Sequence, residues 1–232
     1  MDFNSIKLLF NTLKHLKFKQ ITYRVLYVLR NKLVNKEYSY ELKNFTEPLN
    51  WPNTIKQSTS YLGYLEFRFL NITHTFEKKI DWNYDKFGKL WTYNLNYFDF
   101  LNQPCIEQKE ALIMMKDYVA RIHELKDGLE PYPISLRGIN WIKYMSKEKI
   151  KNEVINRYLY NQYLRLLDNL EYHLLGNHLL ENGFSLLFGA YYFKDDLLYS
   201  KAEKIIKEEL EEQILQDGAH FELSPMYHQI IL

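Results

Sequence analysis

Residues 176–193 read GNHLLENGFSLLFGAYYF, a strongly apolar stretch between two more charged segments. This composition predicts a buried helix from about Asn177 to Phe193. The flanking segments, 147–172 and 196–215, space their apolar residues three and four apart, which is typical of amphipathic helices. We therefore expect an apolar inner helix between two outer helices that each turn one face to water.

The same plan repeats along the second half of the chain. Ser135 is placed to cap a helix that begins at Leu136, and Ser224-Pro225 supplies a cap followed by proline at the first helical position. Together with Gly176, these starts lie about 40 to 50 residues apart, which is one helical hairpin each. The pattern predicts an all-α fold, an incomplete (α/α) toroid whose inner helices begin on one rim.

The first half of the chain is less regular. Residues 1–35 are predicted to form one or two helices, and residues 107–126 return to helical spacing. The segment 38–103 is punctuated by glycine and proline, and we expect irregular structure there with short strands or turns. We divide the chain into an N-terminal extension, 1–60, and a toroid domain, 61–232.

The extreme N-terminus combines apolar spacing with lysines. The apolar residues are Ile6, Leu9, Phe10, Leu13 and Leu16. They predict an amphipathic helix that either packs against the protein or lies on a membrane surface. The lysines interrupt any secretory signal core, and no apolar run approaches the ~20 residues of a transmembrane helix.

Composition narrows the class of protein. The chain has 232 residues, 47% hydrophobic and 25% charged, which is the balance of a folded globular protein. A net charge of +1 gives no field that would favour nucleic acid. Cys105 is the only cysteine, so no intramolecular disulfide or cysteine metal site is possible. Twenty tyrosines suit either a sugar-binding groove or an aromatic core.

Chemically useful side chains fall at the three predicted helix starts. They are Arg137, Asn140 and Trp141; Asn177, His178, Glu181 and Asn182; and Tyr227 and His228, with His220 and Glu222 just upstream. Helix N-termini favour anions, and arginine adds a forked donor for a carboxylate or sulfate. The rim is therefore predicted to bind an acidic sugar.

Four motifs carry a resemblance to a known family. They are Trp91–Asp99 (WTYNLNYFD), Pro131–Arg137 (PYPISLR), Gly176–Asn182 (GNHLLEN) and Phe221–His228 (FELSPMYH). From about Tyr61 onward the chain resembles the amino-terminal domain of heparinase II/III-like polysaccharide lyases. Related helical lyases use an Asn, often followed by His, and a Tyr further along the chain, which Asn177, His178 and Tyr227 match.

The resemblance implies β-elimination on a uronic acid, heparin/heparan- or alginate-like. Asn177 and His178 would hydrogen-bond the carboxylate and stabilise the enolate-like charge that forms when the C5 proton leaves. Tyr227 would protonate the leaving C4 oxygen, act as base, or both, with a pKa lowered from about 10 by cationic neighbours. The substrate-binding candidates are Arg137, Asn140, Trp141, His228 and Glu181. No metal or cofactor is required.

Alternatives remain open at this point. Asn177 would otherwise cap its helix, His178 would be a core histidine bonded to a carbonyl, and Tyr227 would only line a groove. A glycoside hydrolase on a similar toroid would use paired carboxylates such as Glu181 and Glu222. A non-catalytic domain would bind acidic glycan without forming product.

The resemblance also bears on extent and location. Members of the family complete the toroid and add a β-rich domain, which would be a further partner within the same protein. We therefore expect this chain to be a truncated N-terminal part that is inactive alone. The sequence shows no signal peptide, whereas the resemblance suggests the periplasm or the exterior.

Overall fold

The computed structural model describes residues 11, 14, 16–33, 36–42, 46–50 and 57–231, without the side chains of residues 31, 227, 230 and 231. Most of this part is helical, as predicted. Its α-helices are α1 Phe18–Leu33, α2 Lys89–Tyr97, α3 Gln108–Ala120, α4 Pro131–Lys147, α5 Glu153–Asp168, α6 Gly176–Phe193, α7 Asp196–Gln213 and α8 Pro225–Ile231. Within the described ranges, none of the helices is both long and apolar enough to cross a bilayer.

Helices α4 and α6 lie side by side and run in the same direction. The ring of Tyr132 lies 4.6 Å from that of His178, and the amide of Asn182 donates to the Ser135 hydroxyl at 3.1 Å. One turn further on, the Ser185 hydroxyl donates to the Ser135 carbonyl at 2.9 Å. Their N-termini therefore lie at the same end, as predicted for two inner helices.

Helix α5 packs antiparallel to both inner helices. Near its C-terminal half Gln162 accepts from Arg137 of α4, and near its N-terminus Asn156 accepts from Tyr192 of α6. Tyr163 fills the junction between the three helices. A Cβ at Gly138 would lie 2.6 Å from the Tyr163 hydroxyl oxygen, and one at Gly189 would lie 2.8 Å from its ring. Glycine at these two positions is what lets the helices approach so closely.

The helix starts differ in one respect from the sequence prediction. Ser135 does not cap a helix at Leu136, because α4 already begins at Pro131 and Ser135 lies buried within it. Proline is well suited to a first helical position, since its missing N–H is not needed there. The other starts agree more closely: α6 begins at Gly176, and α8 begins at Pro225.

The region between the N-terminal segment and α3 is more ordered than predicted. Strands β1 (Tyr61–Gly63), β2 (Glu66–Phe69) and β3 (Ile72–Thr75) form an antiparallel sheet in the order β1-β2-β3. The expected short strands are thus present, but α2 within this region was not predicted. Its Asn and Thr residues obscure the helical spacing in the sequence, while Trp91 and Leu95 anchor it in the core.

Helix α1 packs against the connection between α5 and α6. The Tyr23 ring stacks on Tyr172 at 4.6 Å, and the Tyr27 hydroxyl donates to the Leu170 carbonyl. Arg30 donates to the Asp168 carbonyl and to the side chain of Asn169. Residues 1–10, 12, 13 and 15, which carry most of the predicted N-terminal amphipathic stripe, lie outside the described residues.

Candidate functional site

The candidate site surrounds the first turn of α6. Asn177 and His178 line a pocket of about 390 Å³ whose other walls include Lys17, Gln20 and Glu222. Leu175 is the N-cap of α6, and no side chain caps the helix. Asn177 therefore has no capping role, which removes one alternative reading of this residue. Asn177 and Glu222, from two different helix starts, meet at one pocket.

A buried carboxylate holds His178. Glu171 is 5% exposed and accepts from Nδ1 of His178 at 3.2 Å and from the Asn182 amide at 3.0 Å. The Glu171 backbone N–H in turn donates to Asn182 Oδ1 at 2.9 Å. The hydrogen bond that His178 donates to Glu171 raises the pKa of His178, although burial opposes the shift. The side chain of His178 remains 40% exposed, so it is not a core histidine.

Helix α1 fixes the loop that carries Glu171. Besides the contacts of Tyr27 and Arg30, the Gln20 amide donates to the Leu174 carbonyl at 2.9 Å, and Arg24 Nε donates to the His173 carbonyl at 3.4 Å. Lys17 pairs with Glu212 of α7. These bonds satisfy carbonyls at and beyond the C-terminus of α5, which a helix end otherwise leaves without partners. The position of Glu171 thus depends on an element that precedes the domain in sequence.

Two predicted substrate-binding residues lie in the core instead. Arg137 is 1% exposed and donates to the carbonyls of Asn96 and Gly128 and to Gln162 Oε1, at 2.9 to 3.1 Å. Trp141 is fully buried. The prediction that these two residues contact substrate is therefore corrected: both stabilise the packing of α4. An arginine near a helix start is an anion ligand only when its guanidinium reaches the surface.

The side chain of Asn140 also makes its hydrogen bonds within the protein. It is 5% exposed, and its amide donates to the Tyr97 carbonyl at 3.0 Å and to Asp99, while its oxygen accepts from Asn102 at 3.1 Å. It orders the short 3-10 helix Asp99–Asn102. This position corrects its predicted role as a substrate ligand.

Glu181 lies one helical turn beyond His178, in a different environment. Burial raises its pKa from 4.5 to about 7, and the negative charge of Asp99 adds to the effect. Burial also raises the pKa of Asp99. Glu181 is therefore close to half-protonated near neutral pH. It does not line the pocket that contains His178.

The raised pKa of Glu181 predicts a pH-dependent stability. Between about pH 4.5 and 7 the folded chain keeps a proton that the unfolded chain releases, so stability falls as pH rises through this window. We expect Glu181→Gln to raise the free energy of unfolding by up to about 3 kcal/mol at pH 8 and to change it little at pH 4. Urea denaturation at both pH values measures this. The exposed Glu203→Gln on α7 is the control, and an equal gain for both variants would contradict the assignment.

The third helix start is described only in part. Tyr227 belongs to α8, but its side chain lies outside the described residues, so its approach to Asn177 stays a prediction. His228 is half-buried, and its Nδ1 has no hydrogen-bond partner within the described ranges. Nε2 of His220 lies 3.1 Å from the Gln213 side-chain oxygen, which ties the loop before α8 to α7.

Sequence reasoning missed Glu171, Lys17 and Gln20. Glu171 precedes His178 by seven residues in a turn, and nothing in its local pattern separates it from a solvated glutamate. Lys17 and Gln20 lie just before and within α1, far away in sequence, so only the tertiary fold brings them to the pocket.

Comparison with known proteins finds a family for the second half of the chain. Residues 134–232 match the family model described as Heparinase II/III N-terminus. The match begins inside α4 and covers the hairpins that carry Glu171, Asn177 and His178. No curated protein and no solved structure matches the chain. Residues 134–232 are therefore similar to a heparinase II/III N-terminal domain.

Proposed function

We propose that this chain is the substrate-binding part of a polysaccharide lyase that cleaves a uronic-acid-containing polysaccharide by β-elimination. The observation that carries the proposal is the pairing of Asn177 and His178 in one pocket, with His178 held by buried Glu171. The family domain supports a polysaccharide lyase. The substrate, heparin/heparan- or alginate-like, and the roles of individual residues are part of the proposal.

In this mechanism His178 and Asn177 bind the uronate carboxylate. Glu171 accepts from Nδ1, which leaves Nε2 for the substrate, and the raised pKa favours an imidazolium that donates from Nε2. The Asn177 amide donates a second hydrogen bond. As the C5 proton leaves, additional negative charge spreads onto the carboxylate. Both donors bind this more highly charged group more strongly than they bind the carboxylate of the ground state.

Tyr227 is proposed to move the protons. As a phenolate it would take the C5 proton, as a phenol it would deliver a proton to the C4 oxygen, or it would do both in turn, and the C4–O bond breaks as the C4–C5 double bond forms. No solvent water is consumed in this sequence. The products are a saccharide with a new hydroxyl and a saccharide that ends in an unsaturated uronate.

The parallel inner helices support the larger architecture. In α4–α5 and α6–α7 each inner helix is followed by an antiparallel outer helix, and α8 begins where a third inner helix is expected. We propose that these hairpins belong to an (α/α) toroid. The β-rich domain implied by the resemblance would supply further catalytic groups.

A hydrolase is the competing function. It needs two carboxylates on either side of one glycosidic bond. The pKa of about 7 at Glu181 suits a general acid. However, Glu222 lines the pocket with His178 and Glu181 does not, so the pair does not face one bond there. This separation favours the lyase.

Glu171 is proposed to be a positioning residue for His178. Glu171→Gln keeps an oxygen for Asn182 but removes the charge that raises the pKa of His178. We expect kcat/KM to fall about tenfold or more, and its alkaline limb to move to lower pH. The pH profile of unsaturated-product formation measures this. A reduced rate with an unmoved profile would show that Glu171 acts only on packing.

The experiment that tests the proposal is a scan of acidic polysaccharides with the chain alone and with the chain joined to the β-rich domain that the resemblance implies. Ultraviolet absorbance follows unsaturated uronate, a reducing-end assay counts cleaved bonds, and a binding titration runs in parallel. For the lyase we expect both signals to rise together in the longer protein and to vanish there in Tyr227→Phe. Reducing ends without absorbance would establish the hydrolase. Binding without cleavage by either protein, undiminished in Tyr227→Phe, would establish a glycan-binding domain.

A further inference from the structure

A second pocket lies on the other side of the loop that carries Glu171. It has a volume of about 410 Å³ and is lined by Arg24, Tyr27, Val28, Pro131, Asn169 and His173. His173 faces this pocket, whereas its neighbour Leu174 faces the pocket of His178. One loop therefore separates the two cavities.

Helix α1 forms a wall of both pockets. Lys17 and Gln20 line the first pocket, and Arg24 lines the second. Gln20 and Arg24, spaced four apart, lie on one face of α1, and Lys17 immediately precedes the helix, so these three side chains form a row. Lys17 and Arg24 are about 10 Å apart along the helix axis. An oligosaccharide can follow such a row from one pocket to the next.

Arg24 provides the positive charge of the second pocket. Its side chain is exposed, and its Nε donates to the His173 carbonyl at 3.4 Å. Within the described part of the chain, no carboxylate pairs with it, and no acceptor is found for its two terminal nitrogens. A guanidinium presents these donors as a planar fork that fits a carboxylate or a sulfate.

The other residues that line the pocket suit the hydroxyl groups and the apolar face of a sugar. His173 lines the pocket, and burial lowers the pKa of this histidine, so the ring is neutral at pH 7. A neutral imidazole can donate to and accept from hydroxyl groups. Val28 and Pro131 add apolar surface for the C–H face of a pyranose ring.

We propose that this pocket is a second saccharide subsite, which binds a sugar unit bearing a carboxylate or sulfate beyond the disaccharide held at Asn177 and His178. The inference rests on the proposed function. Arg24 binds the anionic group, and His173 binds a hydroxyl. The subsite gives α1, which precedes the matched family domain, a direct part in substrate selection.

The test is a calorimetric titration of the full chain with disaccharides and tetrasaccharides prepared from heparan sulfate and from alginate. Arg24→Glu is compared with Lys32→Glu, an equal charge change at an exposed residue of the same helix that lines neither pocket. We expect Arg24→Glu to weaken tetrasaccharide binding roughly tenfold to a hundredfold and to leave disaccharide binding unchanged. Lys32→Glu should match the unmodified chain. Unchanged disaccharide binding also shows that the variant is folded.

A second variant tests the imidazole separately. His173→Phe keeps a ring beside Tyr27 but has no hydrogen-bonding nitrogen, and it should weaken only the tetrasaccharide, by severalfold. Tetrasaccharide binding that is no tighter than disaccharide binding, or that falls equally in Arg24→Glu and Lys32→Glu, would overturn the subsite alone. No binding of any of these saccharides would overturn the proposed function and the subsite together.

Discussion

In the chain joined to the β-rich domain that the resemblance implies, replacing His178 with alanine is expected to lower kcat/KM for unsaturated-product formation about a hundredfold to a thousandfold, which is the usual cost of removing one donor that binds transition-state charge. The physical reason is the position of the ring: Nδ1 is held by buried Glu171 and the side chain reaches the pocket. Asn177→Ala should cause a loss of similar size. Initial rates over a range of substrate concentrations measure both.

The matched control is His123→Ala. His123 is exposed on a short 3-10 helix, and it approaches a carboxylate only at 3.9 Å, in Glu124. We expect this variant to keep full activity and full stability. Activity that survives in His178→Ala would contradict the mechanism, since no other group on α6 replaces an imidazolium beside the substrate carboxylate.

Arg137→Ala is expected to lower the free energy of unfolding by about 3–5 kcal/mol. The change removes a large buried side chain and leaves the carbonyls of Asn96 and Gly128 without their donor. It also removes the guanidinium that lies 4.9 Å from the centre of the Tyr118 ring. Chemical denaturation followed by circular dichroism measures the loss.

Two variants separate structure from binding at this position. Arg137→Lys keeps the positive charge but lacks the planar, forked donors of the guanidinium. We expect it to recover part of the stability lost in Arg137→Ala, with no separate effect on saccharide affinity. Arg157→Ala removes an arginine that pairs with exposed Glu41, and such a surface pair contributes about 0–1 kcal/mol. Unchanged stability in Arg137→Ala, together with lost saccharide binding, would restore the role predicted from sequence.

The sequence was sufficient to predict the helices of the second half of the chain. Apolar composition located α6 to within a residue, because a buried helix tolerates few polar residues on any face. Spacing located α7, which the Asp195 side chain caps through the N–H groups of Leu197 and Leu198. The start of α4 was wrong by five residues, since consecutive prolines indicate a loop as readily as a first helical turn.

The site was harder to predict than the fold. The helix starts predicted which end of the molecule to examine, but not which side chains reach the surface. Arg137 and Asn140, on neighbouring turns of α4, direct their polar groups to α5 and to the 3-10 helix, and Trp141 is fully buried. Glu171 and α1 were missed because their contribution depends on contacts between segments far apart in sequence. The approach of Tyr227 to Asn177 stays a prediction.

The central claim is elimination across a uronate, and mass spectrometry of the released oligosaccharides tests it most directly. The proposal predicts that each cleavage leaves one fragment lighter by one water molecule than its saturated counterpart, and that this fragment disappears in His178→Ala. Fragments that all carry the mass of added water, formed equally well by His178→Ala, would contradict it.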